Sequence, residues 1–296
     1  MAGACLCLCL GLLGCQSTPK VSEQAPTPAP VAAPKPPPKP PRLGLALGGG
    51  AARGFAHIGV IQVLEEAGIA PDVVVGTSAG SLVAALYASG KSGTVLGQLA
   101  EEMDEAAITD WGFPGRGLIR GEALAKYVRD QVGGRNMEQM RLPLGIVATD
   151  LASGQPILFV RGDTGMAVRA SSSVPAVFQP VKIAGREYVD GGLVSPVPVR
   201  FAKQLGAEVV LAVDISTPPE GAPTGDSFRL LLQTFAIMSR SINQFELRDA
   251  DVVVKPLLPG VSATAFAARK QSIQAGRDAM LALLPALRAK LLEKMN

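Results

Sequence analysis

Gly76-Thr77-Ser78-Ala79-Gly80 sets a serine between glycines, after the apolar run Val73-Val74-Val75 and before the helix-forming stretch from Ser81 to Ala88. A strand, a sharp turn and a helix in that order hold a G-x-S-x-G serine exposed as a nucleophile. The usual hydrolase of this type takes its base from a histidine downstream of the serine. This chain has a single histidine, His57, and it precedes Ser78. That order points to another group as the activator of the serine. His57, one turn into a helix-forming stretch, reads more readily as a packing or capping residue than as a base.

Asp190, in Glu187-Tyr188-Val189-Asp190-Gly191-Gly192-Leu193, is the candidate base. Asp-Gly is also a hairpin signal, so on its own the pair leaves both readings open. An aspartate with a pKa of about 3.9 is a weak base towards a hydroxyl. Burial beside the serine would raise its basicity, and the double glycine after it permits a close backbone approach.

The third element is Gly48-Gly49-Gly50-Ala51-Ala52-Arg53-Gly54, between the apolar strand candidate Leu43 to Leu47 and an amphipathic helix from Ala56 to Ala67. A glycine loop that opens a helix presents N–H groups to an anion. Arg53 occupies the place of the third glycine in a dinucleotide fingerprint, and the G-K-[ST] ending of a nucleotide-triphosphate loop is absent. A ligand-free turn or an oxyanion hole remains. One βαβ crossover separates this loop from Ser78, and neighbouring parallel strands bring their C-terminal ends to one crevice edge. That placement favours an oxyanion hole built near Gly49, Gly50 and Ala51, with Arg53 in support. Nucleophile, base and oxyanion donors are the three roles that acyl transfer requires.

These residues need strands to present them. Leu144 to Thr149, Pro156 to Val160 and Val209 to Ile215 read as buried strands and Val252 to Lys255 as a short late one, with helical patterning between them. The pattern fits a mostly parallel three-layer α/β sandwich. Thr109 to Gly117 holds the only tryptophan among Gly and Pro. It reads as a flap that sets Trp111 and Phe113 on an acyl chain and Arg116 or Arg120 near a phosphate, or else as a surface loop with inward-packed aromatics. The Leu-rich stretch from Ala279 to Met295 is expected to dock on the core, with membrane contact or an interface as alternatives.

Composition narrows the field further. A 48% hydrophobic chain of 296 residues can bury a large core, and a net charge of +3 without basic runs gives no support to nucleic-acid binding. All four cysteines, Cys5, Cys7, Cys9 and Cys15, fall in the first fifteen residues, leaving the rest of the chain without a thiol. Leu6 to Leu13 is too short to span a bilayer and ends in Leu12-Leu13-Gly14-Cys15, which reads as an export signal. It resembles a bacterial lipoprotein signal with Cys15 as the acylated residue, the alternative being an ordinary secretory leader. Residues 15–41 read as a Pro/Ala-rich extended tether, and 42–296 as the folded domain. The lipoprotein resemblance, with Gln16 after the cysteine in place of the aspartate that goes with inner-membrane retention, implies outer-membrane attachment facing the periplasm.

Together the three motifs resemble the patatin-like phospholipase family, in its bacterial branch similar to the catalytic domain of neuropathy target esterase. Gly48 to Gly54 is similar to the family's oxyanion loop, Gly76 to Gly80 to its serine elbow, and Asp190-Gly191-Gly192 to its aspartate motif. The stretches Gly117 to Gly121, Ala148 to Gly154 and Ala170 to Phe178 resemble the family too. Ser195 departs from the asparagine that relatives often carry. The resemblance implies a patatin-like α/β/α sandwich and a Ser78–Asp190 dyad hydrolysing acyl esters of phospholipids or lysophospholipids, with no metal or other cofactor. Acyl transfer by the same dyad, or lipid binding without catalysis, are the alternatives.

Overall fold

The computed structural model describes residues 39–112, 116–216, 225–262 and 264–295. The expected signal segment, Cys15, nearly all of the tether and Phe113 lie outside them.

The first half of the chain alternates strands and helices: β1 (Leu43–Leu47), α1 (Phe55–Glu66), β2 (Val73–Thr77), α2 (Ala79–Ala88), α3 (Gly93–Glu102), β3 (Gly117–Ile119), α4 (Glu122–Gln131) and β4 (Leu144–Asp150). The second half is less regular: β5 (Pro156–Phe159), α5 (Thr164–Ser171), β6 (Ala176–Phe178), β7 (Val181–Ile183), β8 (Arg186–Asp190) and α6 (Val199–Gln204). It ends with β9 (Val209–Val213), α7 (Ser227–Glu246), β10 (Val252–Val254) and α8 (Arg269–Met295).

Side-chain alternation builds the layers. Leu43, Leu45 and Leu47 of β1 join Val74, Ile146 and Leu211 in a core closed by α1, α2, α3 and α8. Ala46, Val73, Val75 and Ala212 point the other way and pack under Val199 and Phe201 of α6. Strands buried on both faces read as continuous apolar runs, which explains why β1, β2, β4 and β9 stand out in the sequence. On one outer layer α8 crosses α1 at close range: a Cβ on Gly59 would lie 1.9 Å from the Ile273 carbonyl oxygen, and one on Gly276 would lie 2.0 Å from that of Ala56. With Met280 and Leu287 also buried, the C-terminal helix docks on the core.

The large sheet runs β10-β9-β1-β2-β4-β8-β7, with β5 also paired to β4. Pairings from β10 to β4 are parallel; those of β4 with β5 and β8, and of β7 with β8, are antiparallel. Register along β4 places the site. Val147 pairs with both Thr77 of β2 and Leu158 of β5, so β2 and β5 take opposite edges of β4. Ala148 pairs with both Ile157 of β5 and Asp190 of β8, so β8 shares the edge used by β2. Because β2 runs parallel to β4 and β8 antiparallel, their C-terminal ends meet head-on, one register step apart. Thr77 precedes Ser78, and Asp190 ends β8, so the fold itself brings the two together.

Asp190-Gly191 is therefore not a hairpin turn. The hairpin joining β7 and β8 turns at Ala184 and Gly185, whose φ values of 48° and 84° fit a primed turn. Pro156–Phe159, expected to be buried, is a half-buried strand paired only with β4 among the described strands.

Candidate active site

Ser78 sits between β2 and α2 with φ 53° and ψ −124°, a left-handed-side conformation costly for a residue with a Cβ. The surroundings hold it there. Its amide donates to Ser171 Oγ at 2.9 Å, and that hydroxyl donates in turn to the Val147 carbonyl at 2.5 Å. Ser171 thus fastens the elbow to β4 with its one proton and one lone pair. Thr77 Oγ1 donates to the Ser195 carbonyl at 2.9 Å, tying the end of β2 to the segment after Asp190.

The glycines around the serine answer to backbone contacts. A Cβ on Gly80 would lie 2.1 Å from the Leu47 carbonyl oxygen, and one on Gly76 would lie 2.3 Å from that of Gly80. A Cβ on Gly54 would meet that of Ala79 at 2.9 Å. Helix α2 can therefore start hard against β1, with Ser78 at its N-terminus, where the helix dipole favours negative charge.

Asp190 is fixed from both sides of its backbone. Its amide donates to the Ser173 carbonyl at 2.9 Å, and its carbonyl accepts from Thr149 Oγ1 at 2.8 Å. Gly191 passes so close to β4 that a Cβ there would lie 2.2 Å from the Val147 carbonyl oxygen. The carboxylate is buried. Oδ1 accepts the Gly192 N–H at 2.6 Å, while Oδ2 has no partner of normal hydrogen-bond geometry among the described residues. Burial pushes the carboxyl pKa up to about 6, against opposing pulls from the Ser78 hydroxyl and the Gly192 N–H. A carboxylate with one unsatisfied oxygen beside a hydroxyl is placed to accept its proton.

The glycine loop faces the same space. A Cβ on Gly49 would meet Ser78 Cβ at 3.1 Å. The expected oxyanion donors need correction, however. The Gly49 N–H donates to the Pro196 carbonyl at 2.9 Å and that of Gly48 to Val213 at 3.1 Å, so neither is available. Arg53 turns away as well: it is 4% exposed and its guanidinium donates to the Ser216 carbonyl, with Asp214 nearby. The amides of Gly50 and Ala51 have no hydrogen-bond partner among the described residues. Ala51 also holds a positive φ of 48°. Two non-glycine residues in this sparse region, flanking one cavity, are where an active site stores strain.

That cavity, about 200 Å³, is lined by Gly49, Gly50, Ala51, Ser78 and Asp190, and on its far side by Val174, Pro175 and by Phe235, Ala236 and Ser239 of α7. Nothing in the sequence marked α7 as a wall of the site. Trp111 is 68% exposed, pairs with Ile119 and is absent from the lining, so it neither covers the crevice nor packs inward, the two readings its loop left open. Arg116 is bonded to Glu187, and the Arg120 carbonyl receives Arg169. Ser195, the departure from the family pattern, is buried and donates to Glu246 Oε1 at 2.6 Å.

His57 is fully buried and its Nε2 bonds the Gly48 carbonyl at 2.8 Å, which makes it a support for the glycine loop. Burial lowers its pKa to about 4, so the ring donates as neutral imidazole. His57 and Asp190 then oppose one another in the pH dependence of stability. Unfolding lets His57 take up a proton, so its contribution is lost as pH falls from 6.5 to about 4. The folded Asp190 holds its proton more tightly than the unfolded, so its contribution is lost as pH rises from 3.8 to about 6. Each effect is worth roughly 3 kcal/mol, and the slopes cancel between them. Asp190→Asn is expected to remove one arm, so that unfolding free energy drops on going from neutral pH to about pH 4.5 more steeply than in the unsubstituted protein. Equal slopes in denaturant titrations of the two proteins would refute the pairing.

Comparison with known proteins places this geometry in context. Residues 45–203, more than half of the chain, match the model of the patatin-like phospholipase family. An uncharacterized NTE family protein of Mycobacterium tuberculosis is 36% identical over 189 residues, covering 63% of this chain and 52% of the relative. A lysophospholipase of Aspergillus oryzae is 33% identical over 218 residues, 71% of this chain but 14% of the fungal protein. The chain thus spans about half the mycobacterial relative and a small part of the fungal one. Among solved structures, VipD from Legionella pneumophila superposes with a TM-score of 0.58 at 15% identity, covering 84% of this chain and 67% of that one, a likeness of fold.

Proposed function

From the premise that this chain belongs to the patatin-like phospholipase family, we propose that it is a serine hydrolase of lipid acyl esters, working through a dyad of Ser78 and Asp190. The observation that carries the reading is the buried Asp190 carboxylate, whose Oδ2 has no partner of normal hydrogen-bond geometry among the described residues, in one cavity with Ser78 and with two amides uncommitted among those residues. Asp190 takes the Ser78 proton as Oγ bonds to the ester carbonyl carbon, and the carbonyl oxygen becomes an oxyanion held by the Gly50 and Ala51 N–H groups. Collapse breaks the ester bond, and the leaving alkoxide takes the proton from Asp190. Water then gives a proton to Asp190 and attacks the acyl-serine; the fatty acid departs as Asp190 reprotonates Ser78.

The base must be ionised, so kcat/KM is expected to rise with pH through about 6 and then level. An imidazole base would give a similar limb, and the variants separate them: His57→Gln keeps the limb in this account, whereas Asp190→Asn removes it. A limb that vanished with His57 and survived loss of Asp190 would overturn the assignment.

The acyl chain has a candidate path. An apolar slot runs from Ala51 and Ala79, beside the nucleophile, between Leu82 and Leu86 of α2, Leu96 of α3, Met103 and Phe266. Leu82→Trp would fill it. We expect a loss of tenfold or more in kcat/KM for a long-chain ester and little change for an acetyl ester, since about 0.8 kcal/mol is at stake for each methylene excluded. Equal effects on both esters would rule the slot out.

A further inference from the structure

Behind the glycine loop lies a second and larger cleft, of about 980 Å³, which acyl transfer does not use. Its described lining carries four cations, Arg53, Arg240, Arg248 and Lys255, and one carboxylate, Asp214, which Lys255 already meets at 3.4 Å. Asn243 of α7 also lines it, 4% exposed, with both amide atoms lacking a hydrogen-bond partner among the described residues. A buried amide left in that state costs about 1–3 kcal/mol, unless something in the cleft bonds to it. Arg248 stacks on Phe245 at 5.0 Å and has no carboxylate partner among the described residues. The rim is apolar: Pro256, Leu257, Leu258 and Pro259, with Leu257 83% exposed.

We propose that this cleft binds the phosphate of a phospholipid, with Arg248, Lys255 and Asn243 on the phosphate oxygens and the apolar rim against the glyceride. Arg248, with no carboxylate partner among the described residues, beside Lys255 and a buried amide donor suits a phosphate ester. A contiguous apolar rim of Pro256, Leu257, Leu258 and Pro259 at the mouth suits an amphiphile better than a soluble phosphometabolite. The phosphate has two possible sources. Ser216 lines both this cleft and the catalytic cavity, so it can be the head group of the lipid whose ester lies at Ser78, an assignment that rests on the hydrolase reading. Alternatively it belongs to a second lipid that is not cleaved.

Binding is measured first on the Ser78→Ala protein, by calorimetric titration with glycerol phosphate, which needs no turnover. The proposal expects binding that Arg248→Gln with Lys255→Gln weakens about tenfold or more, with the unfolding temperature lowered by loss of the Lys255–Asp214 pair. Arg248→Gln alone, which breaks no ion pair among the described residues, should weaken it in the same direction with thermal unfolding unchanged. Kinetics on proteins retaining Ser78 then decide the source. If the double variant loses kcat/KM for oleoyl lysophosphatidic acid but not for monooleoylglycerol, the site holds the substrate head group. Unchanged kinetics with weakened binding assign it to a separate phospholipid. Absence of binding to the Ser78→Ala protein, or binding that both variants leave intact, would overturn the site. Failure of the unsubstituted protein to cleave either ester, with binding retained, would instead overturn the hydrolase reading and leave the site standing.

Discussion

Replacing Asp190 with Asn is expected to lower kcat roughly a thousandfold while leaving the fold intact or more stable, because general-base catalysis contributes about 10² to 10⁴ in rate. The substitution keeps an oxygen at Oδ1 for the Gly192 N–H, so the turn after β8 survives. It removes a charge whose burial raises the carboxyl pKa from 3.8 to about 6, and at neutral pH that burial costs roughly 3 kcal/mol. Rate and stability should therefore move in opposite directions, which a purely structural aspartate would not produce. Steady-state kinetics and denaturant unfolding of one preparation test this. Activity within a few-fold of the unsubstituted protein, or a loss of both together, would count against Asp190 as the base.

A second large effect is expected from Gly80→Ala, though no charge or hydroxyl is touched. The new methyl would lie 2.1 Å from the Leu47 carbonyl oxygen and 2.7 Å from that of Gly48, both backbone atoms of the strand and loop that form the oxyanion side. Neither can rotate away, so α2 must lift from β1. Overpacking of this kind costs about 1–3 kcal/mol or more. The catalytic cost is larger in proportion, because Ser78 immediately precedes α2 while Gly50 and Ala51 follow β1, so lifting the helix separates nucleophile from donors. A misplacement of about 1 Å can cost about a hundredfold. The expected result is a kcat at least that much lower in protein that still folds; an unchanged kcat would show that the close approach does not set the site.

How much of this was legible in the sequence follows from how each feature is encoded. The motifs at Gly48 to Gly54 and Gly76 to Gly80 were readable because close backbone approach and a left-handed nucleophile demand glycine at fixed spacing. Central strands announced themselves by apolar runs. The short strands β3, β6, β7 and β8 did not, since three to five residues with mixed exposure carry no clear period. Asp190 was legible as a candidate base, but not the means of its delivery, which depends on β2 and β8 meeting along one edge of β4. Gly49 was misassigned as a donor because its amide is taken by Pro196, nearly 150 residues away, and no local pattern reveals such a bond. Ser171 and Thr149 lie in stretches that resemble the family, yet their bonds to Ser78, Val147 and Asp190 are hidden for the same reason. Helix α7 went unrecognised as a wall of the cavity because only Asn243 and Glu246 of its twenty residues are buried.

The central claim is that Ser78, activated by Asp190 without imidazole, is the nucleophile. Labelling with a fluorophosphonate, followed by mass mapping, tests it most directly. The account predicts one phosphonyl adduct on the Ser78 peptide, formed at an undiminished rate in His57→Gln, much more slowly in Asp190→Asn, and not at all in Ser78→Ala. An adduct on another residue, or labelling of Ser78 that slows with loss of His57 and not of Asp190, would contradict it.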